Sequence, residues 1–187
     1  MIVLSGASAS GKTEVAKELA SKYGITKMIT TTTRKMRINE VNGRDYFFVS
    51  EEEFNKKINN GDFVEYTKYN NNYYGSTKDQ ISSDKCVVID PSGLKAYVNL
   101  KDESIVTFFL ESTPETRYKR MLLRGDSIKD AKARINNDQE TFKRENVAIA
   151  DFYINSETQT IEEVAKEVMN IYKSVLKERK LKKNLTK

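Results

Sequence analysis

The sequence predicts an α/β fold: a three-layer arrangement with a parallel sheet covered on both faces by helices, a small inserted β-rich lobe and a helical lid. Three observations predict it. Short apolar runs alternate with longer stretches of helical period, as strands joined by crossover helices do. A glycine loop ending in Lys-Thr separates the first apolar run from the first helical stretch. Residues 34–85 then break the alternation with aromatic, strand-like segments.

Met1–Ser5 is too short for the apolar core of a signal peptide and reads as the first strand. Thr13–Tyr23 reads as a helix closed by Gly24, a residue suited to the left-handed position after a helix. Lys27–Thr32 reads as one strand. The lobe opens with Tyr46-Phe47-Phe48-Val49, and a Ser50/Glu53 capping box then starts a short helix to Asn60. The alternating strand Phe63–Tyr69 follows, with a hairpin turn at Asn70-Asn71-Asn72. Cys86–Asp90, Ser104–Leu110 and Asp151–Asn155 read as further core strands. Arg124–Arg134, charged and containing Gly125, suits a mobile lid. The final helix, Ile161–Leu176, places Val164, Ala165, Val168, Met169 and Tyr172 on one face, behind a Thr160/Glu163 capping box. The expected division is a core of 1–33 and 86–187, with the lid at about 120–134, and a lobe of 34–85.

Composition narrows the chemistry. The 187 residues, 38% hydrophobic and 32% charged, suit one domain with a highly charged surface. No apolar run approaches the roughly 20 residues of a membrane span, so no membrane partner is expected. Histidine is absent, which excludes an imidazole base and any histidine-ligated metal. Cys86 is alone, so an intrachain disulfide is impossible; a buried structural thiol in a reducing, cytoplasmic compartment is expected. The net charge of +5 resides in Lys177–Lys187, where six cations face one anion, and residues 1–176 are neutral. That pattern reads as a solvated helix end, with no nucleic-acid partner expected.

Gly6-Ala7-Ser8-Ala9-Ser10-Gly11-Lys12-Thr13 satisfies G-x-x-x-x-G-K-[ST] between a strand and a helix. In such a loop backbone N–H groups and the helix N-terminus surround polyphosphate oxygens, the lysine neutralises their charge, and the threonine hydroxyl serves Mg²⁺. A nucleoside triphosphate such as ATP and Mg²⁺ at Thr13 are therefore expected. The N-K-x-D motif of GTPases is absent, and the chain is too short for a motor with coupling domains. A second substrate held by the lobe is the attractive alternative.

Thr30-Thr31-Thr32-Thr33-Arg34-Lys35-Met36-Arg37 sets two guanidinium forks at the entry to that lobe, and such a fork matches a phosphate bidentately. Tyr46 and Tyr74 are available as phenolic donors to the same anion. Together with Glu40, Gly43-Arg44-Asp45-Tyr46-Phe47-Phe48-Val49, Glu65 and Tyr73-Tyr74-Gly75-Ser76, this run closely resembles the guanylate kinase family, and the likeness extends to Ala150–Asn155. The resemblance implies that Arg34, Arg37, Tyr46 and Tyr74 hold the phosphate of GMP, and that Thr30, Glu65, Ser76 and Asp90 read its guanine. It further implies that Arg120, Arg124 and Arg134 are lid arginines acting with Lys12 in catalysis, and that Asn155 lies near the donor adenine. Guanine offers N1–H and N2–H₂ donors beside an O6 acceptor, so one carboxylate takes both donors; adenine would leave that carboxylate facing a lone pair.

The chain departs from the family pattern in places. Ala7 and Ala9 stand where the phosphate loop usually carries proline and glycine, Asn39 replaces a glycine, and D-x-D-x-Q-G becomes Val88-Ile89-Asp90-Pro91-Ser92-Gly93. If position 9 requires positive φ, alanine there is strained. Two other readings stand beside the kinase. A sugar-phosphate kinase of related architecture would not need Glu65, Ser76 and Asp90 together. A non-catalytic scaffold module of the guanylate-kinase type typically lacks the loop lysine, which is present here as Lys12.

Overall fold

The computed structural model describes residues 1–69, 71–143 and 147–185, with side chains described as far as Lys182. The core sheet is built from β1 (Ile2–Ser5), β2 (Thr26–Lys27), β7 (Lys85–Val88), β8 (Val106–Glu111) and β9 (Phe152–Asn155), in the order β2-β7-β1-β8-β9. All pairings in it are parallel. Parallel strands need crossovers, supplied by α1 (Lys12–Tyr23), α3 (Pro91–Asn99), α4 (Pro114–Leu123) and α5 (Ile128–Thr141); α6 (Ile161–Leu185) follows β9. Side chains of β1 alternate between the faces. Ile2 and Leu4 join Val15 and Leu19 of α1 and Val164, Val168 and Tyr172 of α6 in one core. Met1 and Val3 join Val87, Leu94 and Tyr97 in the other. A sheet buried on both faces favours a continuous apolar run, which is why Ile2–Leu4 of β1 shows no polar alternation.

The second sheet is small: β3 (Thr31–Thr32), β4 (Phe47–Phe48), β5 (Phe63–Tyr69) and β6 (Asn72–Thr77), in the order β4-β3-β6-β5. α2 (Glu51–Asn59) packs on it through Phe54, which stacks on Phe63 and Tyr73 at 4.4 and 5.3 Å between ring centroids. The Ser50/Glu53 capping box forms as expected, and Thr160 and Glu163 exchange the bonds expected before α6. Gly75 lets β6 pass under an aromatic ring, since a Cβ there would lie 2.7 Å from Phe63. Gly75→Ala is expected to displace Phe63 and lower the melting temperature, read by circular dichroism.

One expectation is corrected. Lys27–Thr32 is not a single strand: Thr26–Lys27 belongs to the core sheet and Thr31–Thr32 to the lobe sheet. Met28, fully buried, anchors the crossing in the second core, where the Tyr97 hydroxyl donates to its sulfur. The threonines beyond it bond the lobe hairpin. The Thr32 hydroxyl donates to Tyr73 O at 2.9 Å and accepts from Arg34 N, while the Thr33 hydroxyl accepts from Tyr73 N. The last helix also extends past Leu176 to Leu185, and Arg179 donates to the carbonyls of Glu103 and Ile105. Asn70 of the expected hairpin turn and the side chains of Lys183 and Lys187 lie outside the described residues.

Cys86 is buried, which pushes its thiol up to about 12 and leaves it inert. Among the described residues, no helix is long and apolar enough to cross a membrane.

Candidate active site

Gly6 leaves β1 at φ 145°, and a Cβ there would lie 2.6 Å from Leu110 O; β1 and β8 leave room only for glycine. The chain then wraps Ala7–Gly11 into a loop that enters α1. Ala9 takes φ 61°, so the left-handed turn that the sequence raised for this position is made by an alanine. The Lys12 ammonium donates to Gly6 O at 2.7 Å and Ala7 O at 2.9 Å, within the loop. Burial of the ammonium lowers its pKa to about 8; Asp138 opposes that shift and Arg117 adds to it. A cavity of about 520 Å³ opens beside the loop, lined by Lys12, exposed Thr13, Arg120, Arg124, Gln159 and Thr160, among others. Arg120 reaches Ala9 O and Ser156 O, and Arg124 pairs with Asp126.

A second cavity, about 190 Å³, lies at the end of β7. Thr30, Glu65, Tyr74 and Asp90 line it, with Gly75 and Gly93 among its walls. Glu65 accepts from the buried Ser76 hydroxyl at 2.6 Å. Burial raises the Glu65 pKa, with Asp90 adding to the rise and the Ser76 bond opposing it. Asp90 caps α3: its Oδ1 accepts from Gly93 N and from the Ser92 hydroxyl, and Pro91 occupies the first helical turn. Ser92 and Val88 thus have local duties, the first in the cap and the second against the core. The two cavities share no lining residue, yet Ile89 N bonds Leu4 O, so β1 and β7 deliver both to the same edge of the sheet. Ligands of open α/β sheets bind at such carboxyl ends.

Arg34 lies over the rings of Tyr46 and Phe48, at 5.4 and 5.5 Å. Its two terminal nitrogens meet both oxygens of Glu40, at 3.0 and 2.7 Å. Glu40 also accepts from Arg37 N, and Arg34 holds its carboxyl below the usual range. Tyr46 meets Tyr74 edge-on at 6.1 Å, which connects Arg34 to the wall of the smaller cavity.

Not every expected residue converges. Arg37 is exposed. Arg134 is 3.9 Å from Asp126, and Asn155 accepts from Glu157 N; neither lines the cavities above. Other residues escaped sequence reasoning. Glu40, quoted only as part of a pattern, orients Arg34. Tyr97 lies beside Ser76, and burial raises its phenol above the usual range. Arg117 and Asp138 form a buried ion pair against the loop. Helical periodicity shows which face a residue occupies, and the partner it meets on another element leaves no such mark.

Parallel sheet, glycine loop with Lys-Thr, and inserted lobe define the chain's class: a P-loop kinase fold. A family profile described as guanylate kinase matches residues 1–175. The guanylate kinase of Fusobacterium nucleatum is 36% identical over 152 residues, covering 78% of this chain and 82% of that protein. That of Mycoplasma mobile is 33% identical, covering 95% and 94%. A crystal structure of guanylate kinase from Anaplasma phagocytophilum superposes with a TM-score of 0.57 at 26% identity, covering 93% of this chain and 84% of that one. The chain belongs to the guanylate kinase family.

Proposed function

We propose that this chain transfers the γ-phosphoryl of ATP to the 5′-phosphate of GMP, and of dGMP, giving ADP and GDP or dGDP in the cytoplasm. The single observation that carries the reading is Glu65, bonded by the buried Ser76 hydroxyl, in a small cavity whose wall continues through Tyr74 and Tyr46 to Arg34. It supplies an acceptor for the two donors of guanine and, along the same wall, a planar cation for a phosphate.

Residues 34–85, together with Thr30 and Asp90, carry the acceptor, and the rest of the chain carries the donor. Loop N–H groups and Lys12 bind the triphosphate; Arg120 and Arg124, beside the same cavity, neutralise charge on the transferring group. Arg134 and Asn155 join when the lid and lobe close, a movement that brings two anions together and excludes water. The acceptor phosphate is already anionic near neutral pH, so no side chain need act as a strong base.

Thr13 fits Mg²⁺. Its residue is exposed at the cavity, and among the described residues no group of three or more acidic, cysteine or histidine side chains offers a rival cage. A magnesium ion held by one hydroxyl, phosphates and water is a common arrangement, and when bound it neutralises triphosphate charge.

The test is ADP production from ATP with GMP, dGMP, AMP, UMP or no acceptor. Turnover is expected with GMP and dGMP alone; equal turnover with AMP, or none with any acceptor, defeats the reading. Arg34→Ala is expected to raise KM for GMP by about a hundredfold, as losing a charged bidentate contact does. The dissociation constant for ATP, measured by titration, stays within about twofold.

A further inference from the structure

We propose that Arg117 and Asp138 are positioning residues for the phosphate loop: a buried ion pair, one partner from each of α4 and α5, that holds the Ser8–Ala9 turn in shape. The proposal rests on the reading of that loop as the ATP site.

The turn needs holding. A left-handed alanine crowds its own Cβ against the backbone, so a free loop of this sequence drifts to other conformations. The contacts that oppose the drift come from outside the loop. Asp138 accepts the Ser8 N–H at 2.9 Å and the Ser8 hydroxyl at 3.2 Å. Arg117 donates to Asp138 and to Ser8 O, the latter at 3.3 Å. Arg120 donates to Ala9 O at 3.4 Å. The peptide groups on both sides of Ser8 and the one after Ala9 are therefore gripped in succession. Arg117 and Asp138 are each only 5% exposed, on helices otherwise packed through apolar residues such as Met121 and Ala131.

Stability alone does not call for charges here. Replacing a buried ion pair with apolar residues of similar volume is often neutral or favourable. What charges supply, and an apolar pair would not, is the set of bonds to Ser8. Asp138 and Arg117 also act on Lys12 with opposite signs, so the clamp adds little net charge beside the phosphate-binding lysine.

The experiment compares wild type with Arg117→Met/Asp138→Leu, which removes the clamp and fills its space. Melting temperature, ATP affinity by calorimetric titration without acceptor, and separate KM values for ATP and GMP are measured. Cooperative unfolding is retained, ATP binds about tenfold more weakly because only a fraction of loops are competent, and KM for GMP is unchanged. Adding Ala9→Gly returns ATP affinity to within about threefold of wild type, since glycine adopts the left-handed turn freely. Undiminished ATP affinity in the double variant, or no recovery with Ala9→Gly, overturns the proposal. If the double variant does not fold, Asp138→Asn replaces it. That change keeps the side-chain shape and one acceptor, so a loss of about threefold, recovered by Ala9→Gly, is expected. No loss overturns the proposal. A wild-type chain that binds ATP but phosphorylates no GMP defeats the kinase reading alone, because the titration uses no acceptor.

Discussion

Lys12→Met is expected to lower kcat/KM for ATP by about 10³-fold or more, the scale of removing a preorganised cation or donor from a charged transition state. Methionine keeps the length and apolar stem of lysine, so the loss isolates the charge. The ammonium is buried among loop carbonyls and its pKa is lowered to about 8, mainly by that burial. Below pH 8 the free enzyme carries the cation that ATP needs. As pH rises through 8, kcat/KM for ATP therefore declines. Stability moves the other way. Between about 8 and the ordinary lysine value near 10.4, the unfolded chain binds the proton and the folded chain does not, so stability rises with pH across that window. Lys12→Met removes the buried charge and is expected to raise the melting temperature at pH 7 while abolishing turnover. A variant that lost turnover by unfolding would show the opposite melting shift.

Glu65→Gln is the second large effect, expected to lower kcat/KM for GMP by about 10³- to 10⁴-fold, because a site built around a substrate's donors is left mispaired. The amide would aim a donor at guanine's own N1–H or N2–H₂. ATP affinity should be unchanged. Burial and nearby Asp90 raise the Glu65 pKa, so the folded chain holds this proton more tightly than the unfolded one. The stability linked to that proton is complete below the ordinary glutamate value near 4.3 and is lost as pH rises through the raised folded value. Above the raised value the ionised carboxylate strains the fold, and there Glu65→Gln should melt higher than wild type. GMP affinity, which needs the ionised form, falls as pH drops through the raised value. Titrating GMP affinity downward from pH 8 to below the ordinary glutamate value, in wild type and in Glu65→Gln, checks this; identical profiles would remove Glu65 from guanine recognition.

Much of this molecule is legible in its sequence, for identifiable reasons. The glycine loop and the capping boxes at Ser50 and Thr160 are local: their partners lie three or four residues away, and sequence spacing alone brings them together. The strand Phe63–Tyr69 was legible from its alternation, and its limits match. The threonine run misled because β-branched residues mark extended backbone without saying which sheet receives it. Only the buried Met28, and the hydroxyl bonds from Thr32 and Thr33 to Tyr73, show the switch. In the candidate site, Lys12 and Thr13 line one cavity and Thr30, Glu65, Tyr74 and Asp90 another, whereas Glu40, Tyr97 and the Arg117–Asp138 pair act across 6, 21 and 21 residues. Such pairings are set by packing and leave no periodic trace.

The crossing between Lys27 and Thr31 has a further consequence for engineering. Three residues, Met28 to Thr30, separate two sheets whose registers are pinned at Thr26 with Lys85 and at Thr31 with Gly75. One added residue would invert the facing of every threonine beyond it, turning hydroxyls that now knit the hairpin toward the wrong side. Insertions or deletions in this linker are thus a severe perturbation, as is replacing its buried anchor Met28: the segment behaves as a ruler, and loop grafting should leave its length alone.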